Sequence, residues 1–300
     1  MKLVNIINDL QKDGQRLDDK SGSVSPSTVR NCYKAIKSVF NVAVDWRLIK
    51  ENPAEGIKLP KIKRPQMEVY NVIEQLRVYE ALQNEDMSWK ILVLIALVAG
   101  PRAGEIAGVE WKHVDFETSQ ITFTQTIFEK VGKGVQIKDT TKTGVTKTVS
   151  LPFWLMAILE DYKANEWKDI HAVALHEKNT WRDHEFLFCN LEGKPICPDS
   201  ISQRWRRFIE KINKNIKGDE EPLKFIRFHD LRHTSAIHLL TQGESVKVVQ
   251  ARLGHKKYHT TMDIYSHILK EVDQAAADKF EDPFSSRQSR FSPKSQNKDN

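Results

Sequence analysis

The sequence predicts a mainly α protein with a small antiparallel β-sheet, and three observations predict it. Apolar residues recur at helical spacing up to about residue 99 and again from 153 onward. Between them lies a stretch rich in Val, Ile, Thr and Phe that alternates and is broken by Gly turns. One run, "ILVLIALVAG" at 91–100, is apolar all round, as a helix buried on every side must be.

Residues 1–13 read as a short helix, and the Gly-, Ser- and Asp-rich "DGQRLDDKSGSVSP" after it as a loop. "SPSTVRNCYKAIKSVFNVAVDWRLI" opens with Ser and Thr caps and carries Val29, Tyr33, Ile36, Phe40 and Val44 on one helical face. "ENPAEGIKLPKIKRP" has prolines and no periodicity, so 51–66 reads as an extended linker between two modules. Two helices follow, at roughly 70–83 and 88–99. "HVDFETSQITFTQTIF" and "GVQIKDTTKTGVTKTVSLP" supply the sheet. From 153 the pattern is helical again, with "EFLFCN" as one strand, and the polar "FSSRQSRFSPKSQNKDN" closes the chain as a disordered tail.

Composition narrows the class. The chain has 300 residues, 40% hydrophobic and 29% charged, which is the balance of an ordinary soluble globular protein. Residues 1–65 hold 13 Lys and Arg against 7 Asp and Glu, which accounts for the whole net charge of +6. A basic first module beside a neutral body suits a polyanionic partner, although charge alone fits a merely soluble surface as well. Cys32, Cys189 and Cys197 make an odd set without a C-x-x-C pair, so neither a disulfide framework nor a structural zinc site is expected. The apolar run at 91–100 is too short to span a bilayer, and the start of the chain turns polar too soon for a signal peptide. A cytoplasmic location is expected.

Four stretches carry candidate chemistry. "AGPRAGEIAGVEW" sets Arg102 and Glu105 three apart on a helix, a spacing that by itself is commonly an ion pair. "TTKTGVTKTVSLP" reads as a hairpin with Lys142 near its tip and Lys147 on the return strand, where lysines ordinarily protect sheet edges. "FHDLRHTSAIHLL" sets His229 and Arg232 on one helical face. "LGHKKYHTTMDIYSH" carries His255 and His259 after a helix-ending glycine and Tyr265 on a new helix. No His, Cys or carboxylate elsewhere has convincing metal-ligand spacing, so no metal and no cofactor is expected.

Taken in order, the set is what phosphoryl transfer at a phosphodiester requires. Arginines clamp the non-bridging oxygens with planar paired donors. A tyrosine hydroxyl can attack phosphorus and hold the DNA end covalently. A lysine can protonate the departing oxygen, and histidines can relay protons.

These motifs resemble those of the tyrosine recombinase, or phage integrase, family, whose pattern is Arg, Lys, His-x-x-Arg, His or Trp, and Tyr. The resemblance covers about residues 25–270. It implies that Arg102 and Arg232 form the arginine clamp and that Lys142 is the general acid. It implies further that His229 and His255 attend the phosphate, that Tyr265 is the nucleophile, and that Glu105 supports Arg102. Residues 1–64 become a partial helical core DNA-binding domain and linker, shortened relative to the family, 65–282 the catalytic domain, and 283–300 a tail. The implied function is site-specific recombination of double-stranded DNA through a 3′-phosphotyrosyl intermediate, by a homotetramer exchanging C-terminal segments such as 268–282. The alternatives are a catalytically silent DNA-binding form and a type IB topoisomerase-like enzyme.

Overall fold

The structure is a computed structural model. It describes residues 2–16, 21–62, 67–139, 146–174, 180, 181, 183–216, 218 and 220–254. The expected tail and the expected exchanged helix at 268–282 lie outside the described residues. The chain divides into two compact units, Met1–Gln66 and Met67–Asn300.

The first unit contains α1 (Lys2–Asp9) and α2 (Pro26–Asp45). Ser25 caps α2 by accepting from the Thr28 amide at 3.2 Å, and Pro26 occupies the first turn, where its missing N–H costs nothing. The segment expected as an extended linker is irregular but tethered. Tyr33 donates its hydroxyl to the Ala54 carbonyl at 2.7 Å, and Arg30 donates twice to the Pro60 carbonyl at 3.1 Å. Side chains of α2 thus satisfy carbonyls of a segment that forms no helix or strand of its own.

The second unit is built around one helix. α3 (Val72–Leu82) starts at an Asn71–Glu74 capping box, and α4 (Met87–Ala99) at Asp86, which accepts from the Trp89 amide at 3.0 Å. Within α4 Trp89, Ile91 to Leu97 and Ala99 are buried, so its uniform apolarity reflects neighbours on all sides. Burial of each large side chain there contributes about 1.5–3 kcal/mol. A short α5 (Ala103–Ala107) follows.

The β region forms two sheets where the sequence suggested one. β1 (Val114–Asp115), β2 (Gln120–Phe123) and β5 (Lys147–Ser150) make an antiparallel sheet with Phe123 opposite Lys147. β3 (Gln125–Lys130) and β4 (Gly134–Asp139) form a separate antiparallel ribbon. The break falls at Thr124 and Gln125. Thr124 hydroxyl pairs with His113 Nε2 at 2.9 Å, and Gln125 Nε2 donates to Gly108 O and Glu110 Oε1 at 2.8 and 2.7 Å. These inward bonds draw the chain out of the first sheet. β3 then passes so close to α5 that a Cβ on Gly104 would sit 2.6 Å from the Ile127 carbonyl oxygen.

The remaining helices are α6 (Phe153–Tyr162), a π-helical turn (Lys163–Trp167), α7 (Lys168–Ala174), α8 (Pro198–Lys214), α9 (Asp230–Thr241) and α10 (Val246–Leu253). "EFLFCN" is not a strand. Phe186 and Cys189 make only isolated bridges, to Glu110 and Pro195, while Phe186, Leu187 and Phe188 are fully buried. Leu187 donates its amide to the Val109 carbonyl at 2.9 Å, so the segment is a buried connector with single backbone contacts. A separate small core of Ala236, Leu240, Val249 and Leu253 joins α9 to α10.

Candidate functional site

The site forms where α4, α9 and α10 meet. Gly100 ends α4 in a left-handed conformation (φ 57°), and Gly254 ends α10 likewise (φ 67°). At Gly100 a side chain is disfavoured on two counts: the backbone sign, and a Cβ position 2.8 Å from Leu253 Cδ2, which would have to shift.

Arg232, in the first turn of α9, is buried with 2% exposure. Its Nη1 donates to Gly100 O at 2.6 Å and its Nη2 to Leu253 O. Both acceptors are helix C-terminal carbonyls, where the negative ends of the backbone dipoles compensate a buried guanidinium. One side chain therefore ties together the loop leading to Arg102 and the turn leading to residue 255.

Arg102 stands two residues past Gly100, as the N-cap of α5. Arg102 and Glu105 do not share a helical face in the simple sense. The Arg102 backbone is extended, its amide donates to Glu105 Oε2 at 3.0 Å, and its Nη1 donates to Glu105 Oε1 at 2.5 Å. The Arg102 side chain remains 48% exposed while that of Glu105 is 14% exposed. Burial raises the Glu105 pKa, but Lys147 and Arg102 outweigh it and hold the carboxyl below its ordinary value.

His229 is the N-cap of α9 and keeps an exposed edge. Loss of water around its ring, then the Arg232 guanidinium, lowers its pKa, so it is neutral at pH 7. The preceding turn is fixed by Asp230, which accepts from the Arg227 amide at 2.9 Å and from its guanidinium at 2.9 and 2.7 Å.

Lys147 is the residue for which sequence reasoning is corrected. It opens the outer strand of its sheet but does not present its amine to water: it is 7% exposed, with Nζ 3.6 Å from Glu105 Oε2 and 4.4 Å from the Phe123 ring centroid. Its pairing with the buried Phe123, 24 residues away, is a tertiary feature that no local spacing signals. Arg252, also unanticipated, donates to Val98 O at 3.2 Å and Ser150 O at 3.3 Å, linking α10 to α4 and β5.

The structure thus brings together Arg102, Glu105, His229 and Arg232, and adds Lys147. Lys142, His255 and Tyr265 lie outside the described residues. Chemically, two guanidiniums against one carboxylate leave an excess of positive charge, with Arg102 its exposed member and the Lys147 amine beside it. Such a site suits a phosphate-like anion. Glu129, Cys197 and Asp199 bring ligating atoms within 4.8 Å of one another, but Glu129 and Asp199 are exposed and none was a sequence candidate.

Comparisons with known proteins bear on this arrangement. The family model described as the phage integrase family matches residues 70–271. The ICEBs1 integrase of Bacillus subtilis strain 168 is 25% identical over 259 residues, a match covering 86% of this chain and 66% of that protein. A tyrosine recombinase XerC from Pediococcus pentosaceus is 28% identical over 260 residues, covering 85% of this chain and 75% of that one. The chain spans about two thirds to three quarters of these relatives' length. Among solved structures, the Tn1549 transposon integrase in complex with circular-intermediate DNA aligns with a TM-score of 0.67 at 19% identity, over 89% of this chain and 79% of that one. A lambda integrase dimer bound to a COC′ core site aligns with a TM-score of 0.52 at 17% identity, over 88% and 77%.

Proposed function

Because the chain belongs to the phage integrase family, we propose that it is a site-specific recombinase that breaks and rejoins double-stranded DNA through a covalent link to Tyr265. The observation that carries this is the meeting of Arg102 and His229 around the buried Arg232, three residues from two segments far apart in sequence. Relatives named as integrases and tyrosine recombinases, and neighbours solved in complex with DNA, support the same reading.

In this mechanism the scissile phosphate docks against Arg102, whose guanidinium is held by Glu105 while the side chain stays half exposed. Arg232 fixes the floor of the site. The Tyr265 hydroxyl attacks phosphorus, its proton passes to a neighbouring base, and the bond to the 5′ oxygen breaks. Lys142 protonates that oxygen, which leaves as a 5′ hydroxyl. His229, neutral at pH 7, can accept and return a proton, and His255 holds a phosphate oxygen. The 5′ hydroxyl of a partner duplex then attacks the phosphotyrosyl link and releases Tyr265, so no phosphodiester energy is lost. Fixed cationic side chains stabilise the developing charge, and the reaction proceeds without a metal ion. On two DNA sites the working unit is a homotetramer with C-terminal segments exchanged between neighbours, and it acts in the cytoplasm. No helix among the described residues is long and apolar enough to cross a membrane.

The test is covalent capture. With nicked duplexes of randomised sequence, the wild-type chain forms a denaturant-resistant adduct, while Tyr265→Phe forms none and still binds DNA. An adduct from Tyr265→Phe would overturn the assignment of the nucleophile. Binding without any wild-type adduct would leave a silent DNA-binding protein.

A further inference from the structure

We propose that Lys147 is a positioning residue, whose ammonium clamps Glu105 and through it aims the Arg102 guanidinium at the phosphodiester; this rests on the function proposed above. Lys147 opens β5 directly across from Phe123. Its side chain is 6% exposed and its Nζ lies 4.4 Å from the Phe123 ring centroid, so the amine does not reach a duplex lying on the surface. Its charged end points instead at Glu105 Oε2, 3.6 Å away, the oxygen that accepts the Arg102 amide. The other oxygen of the same carboxylate accepts Arg102 Nη1. A single carboxylate is therefore held from one side by Lys147 and holds Arg102 from the other.

A purely structural side chain at this position would not need a charge. Among the described residues Lys147 Nζ makes no hydrogen bond, and burying an ammonium with one ion-pair partner is costly. The stem is well packed: its Cδ lies 3.2 Å from where a Cβ on Gly254 would stand, beside the turn that leads to His255. A methionine would fill the same space without the desolvation cost. Retention of the ammonium points to work done by its charge, and the only anion beside it among the described residues is Glu105.

Among the described residues, the charged groups around Lys147 are Glu105 and Arg102 at α5, Arg232 on α9 and, bound to the end of β5, Arg252 on α10. Burial is the largest influence and pushes the lysine pKa down to about 7; Glu105 opposes it, and Arg232 and Arg102 add to it. Below that pH the clamp is charged. Above it Glu105 is left to Arg102 alone, and the net positive charge offered to the phosphate falls.

The experiment follows adduct formation on the same duplex pool, at saturating protein, across pH 6 to 9 for wild type, Lys147→Met and Lys147→Arg. The expected result is a cleavage rate for Lys147→Met about 10- to 100-fold below wild type, as for a catalytic group misplaced by about an ångström. Duplex affinity should stay within about twofold, and thermal stability should change little, because Glu105 keeps the Arg102 guanidinium and amide as partners. Wild type should lose rate as pH rises through about 7. That limb should be missing in Lys147→Met and moved to higher pH in Lys147→Arg, which recovers part of the rate and keeps its charge. On a Glu105→Gln background, Lys147→Met should add no further loss. A Lys147→Met variant that matches wild type at every pH overturns the proposal. So does one whose loss follows a lowered melting temperature with the alkaline limb intact, since that is packing alone. If Lys147→Met does not fold, Lys147→Arg decides by whether its alkaline limb moves. A wild-type chain forming no adduct would instead remove the function on which the proposal rests.

Discussion

Arg232 and Gly100 are 132 residues apart in sequence and are joined by a 2.6 Å hydrogen bond from the guanidinium to the main-chain carbonyl. With the second bond to Leu253 O, this contact makes Arg232 the bracket between the C-terminal ends of α4 and α10. The loop carrying Arg102 and the turn that ends at Gly254 are positioned by one buried cation.

Arg232→Lys should therefore destabilise the second unit despite keeping the charge. One ammonium cannot reproduce the paired, planar donors that reach two carbonyls, so a buried acceptor loses its partner. The expected loss is about 2–3 kcal/mol, read from urea unfolding. A change below about 0.5 kcal/mol would show that water or the neighbouring backbone satisfies the orphaned carbonyl at no cost.

Gly100→Ala combines two penalties that a control separates. Gly100 has φ 57° and no room for a Cβ beside Leu253, whereas Gly243 has φ 88° and nothing within 4 Å of its Cβ position. Gly243→Ala should lose about 1 kcal/mol from backbone conformation alone. Gly100→Ala should lose more, because the clash displaces Leu253, whose carbonyl receives Arg232. Equal losses would mean that Leu253 moves aside freely.

His233 gives a pH dependence of stability. Burial of the ring, then the facing His229, Arg232 and Arg227, drive its pKa down to about 4, with Asp230 opposing. The folded value lies below the unfolded value of about 6.5, so between these limits the unfolded chain binds the extra proton. Stability should fall as pH drops from about 6.5 to about 4 and then level off for this group. His233→Gln should flatten that part of the stability–pH curve, leaving the slope due to His229 and His113, whose pKa values are lowered in the same direction. An unchanged slope would remove His233 as its source.

Arg102 should contribute one phosphate contact to DNA binding. Its side chain is 48% exposed even while paired to Glu105. Arg102→Ala should lower the slope of log affinity against log salt by about 0.9 for duplex DNA. No change in slope would mean that Glu105 already neutralises the guanidinium and that the phosphate is held elsewhere.

How much of this was legible in the sequence differs from element to element. The helices at 72–82 and 87–99 were readable because an Asn71–Glu74 box, an Asp86 cap and an apolar run act within a few residues of one another. The strand expected at "EFLFCN" failed for the opposite reason. A short buried apolar run looks the same whether it joins a ladder or merely crosses the core, and here its few backbone bonds run to Val109, Trp111, Lys194 and Ile196. The split into two sheets turned on Gln125, whose side chain finds Gly108 and Glu110 across the fold.

The sequence by itself determined the helical class, the alternating region between the helices, and the motifs that hold Arg102, Glu105, His229 and Arg232. All of these are written in spacings of two to four residues, the reach of caps, turns and amphipathic faces. Only the tertiary structure decided that Arg232 is a buried bracket, that Arg102 faces outward from a helix cap, and that Lys147 turns its side chain inward to Glu105 instead of outward to water. Those outcomes depend on which surfaces exclude water from a charge and which distant carbonyl or carboxylate then answers it. Neither is encoded in any local window of the chain.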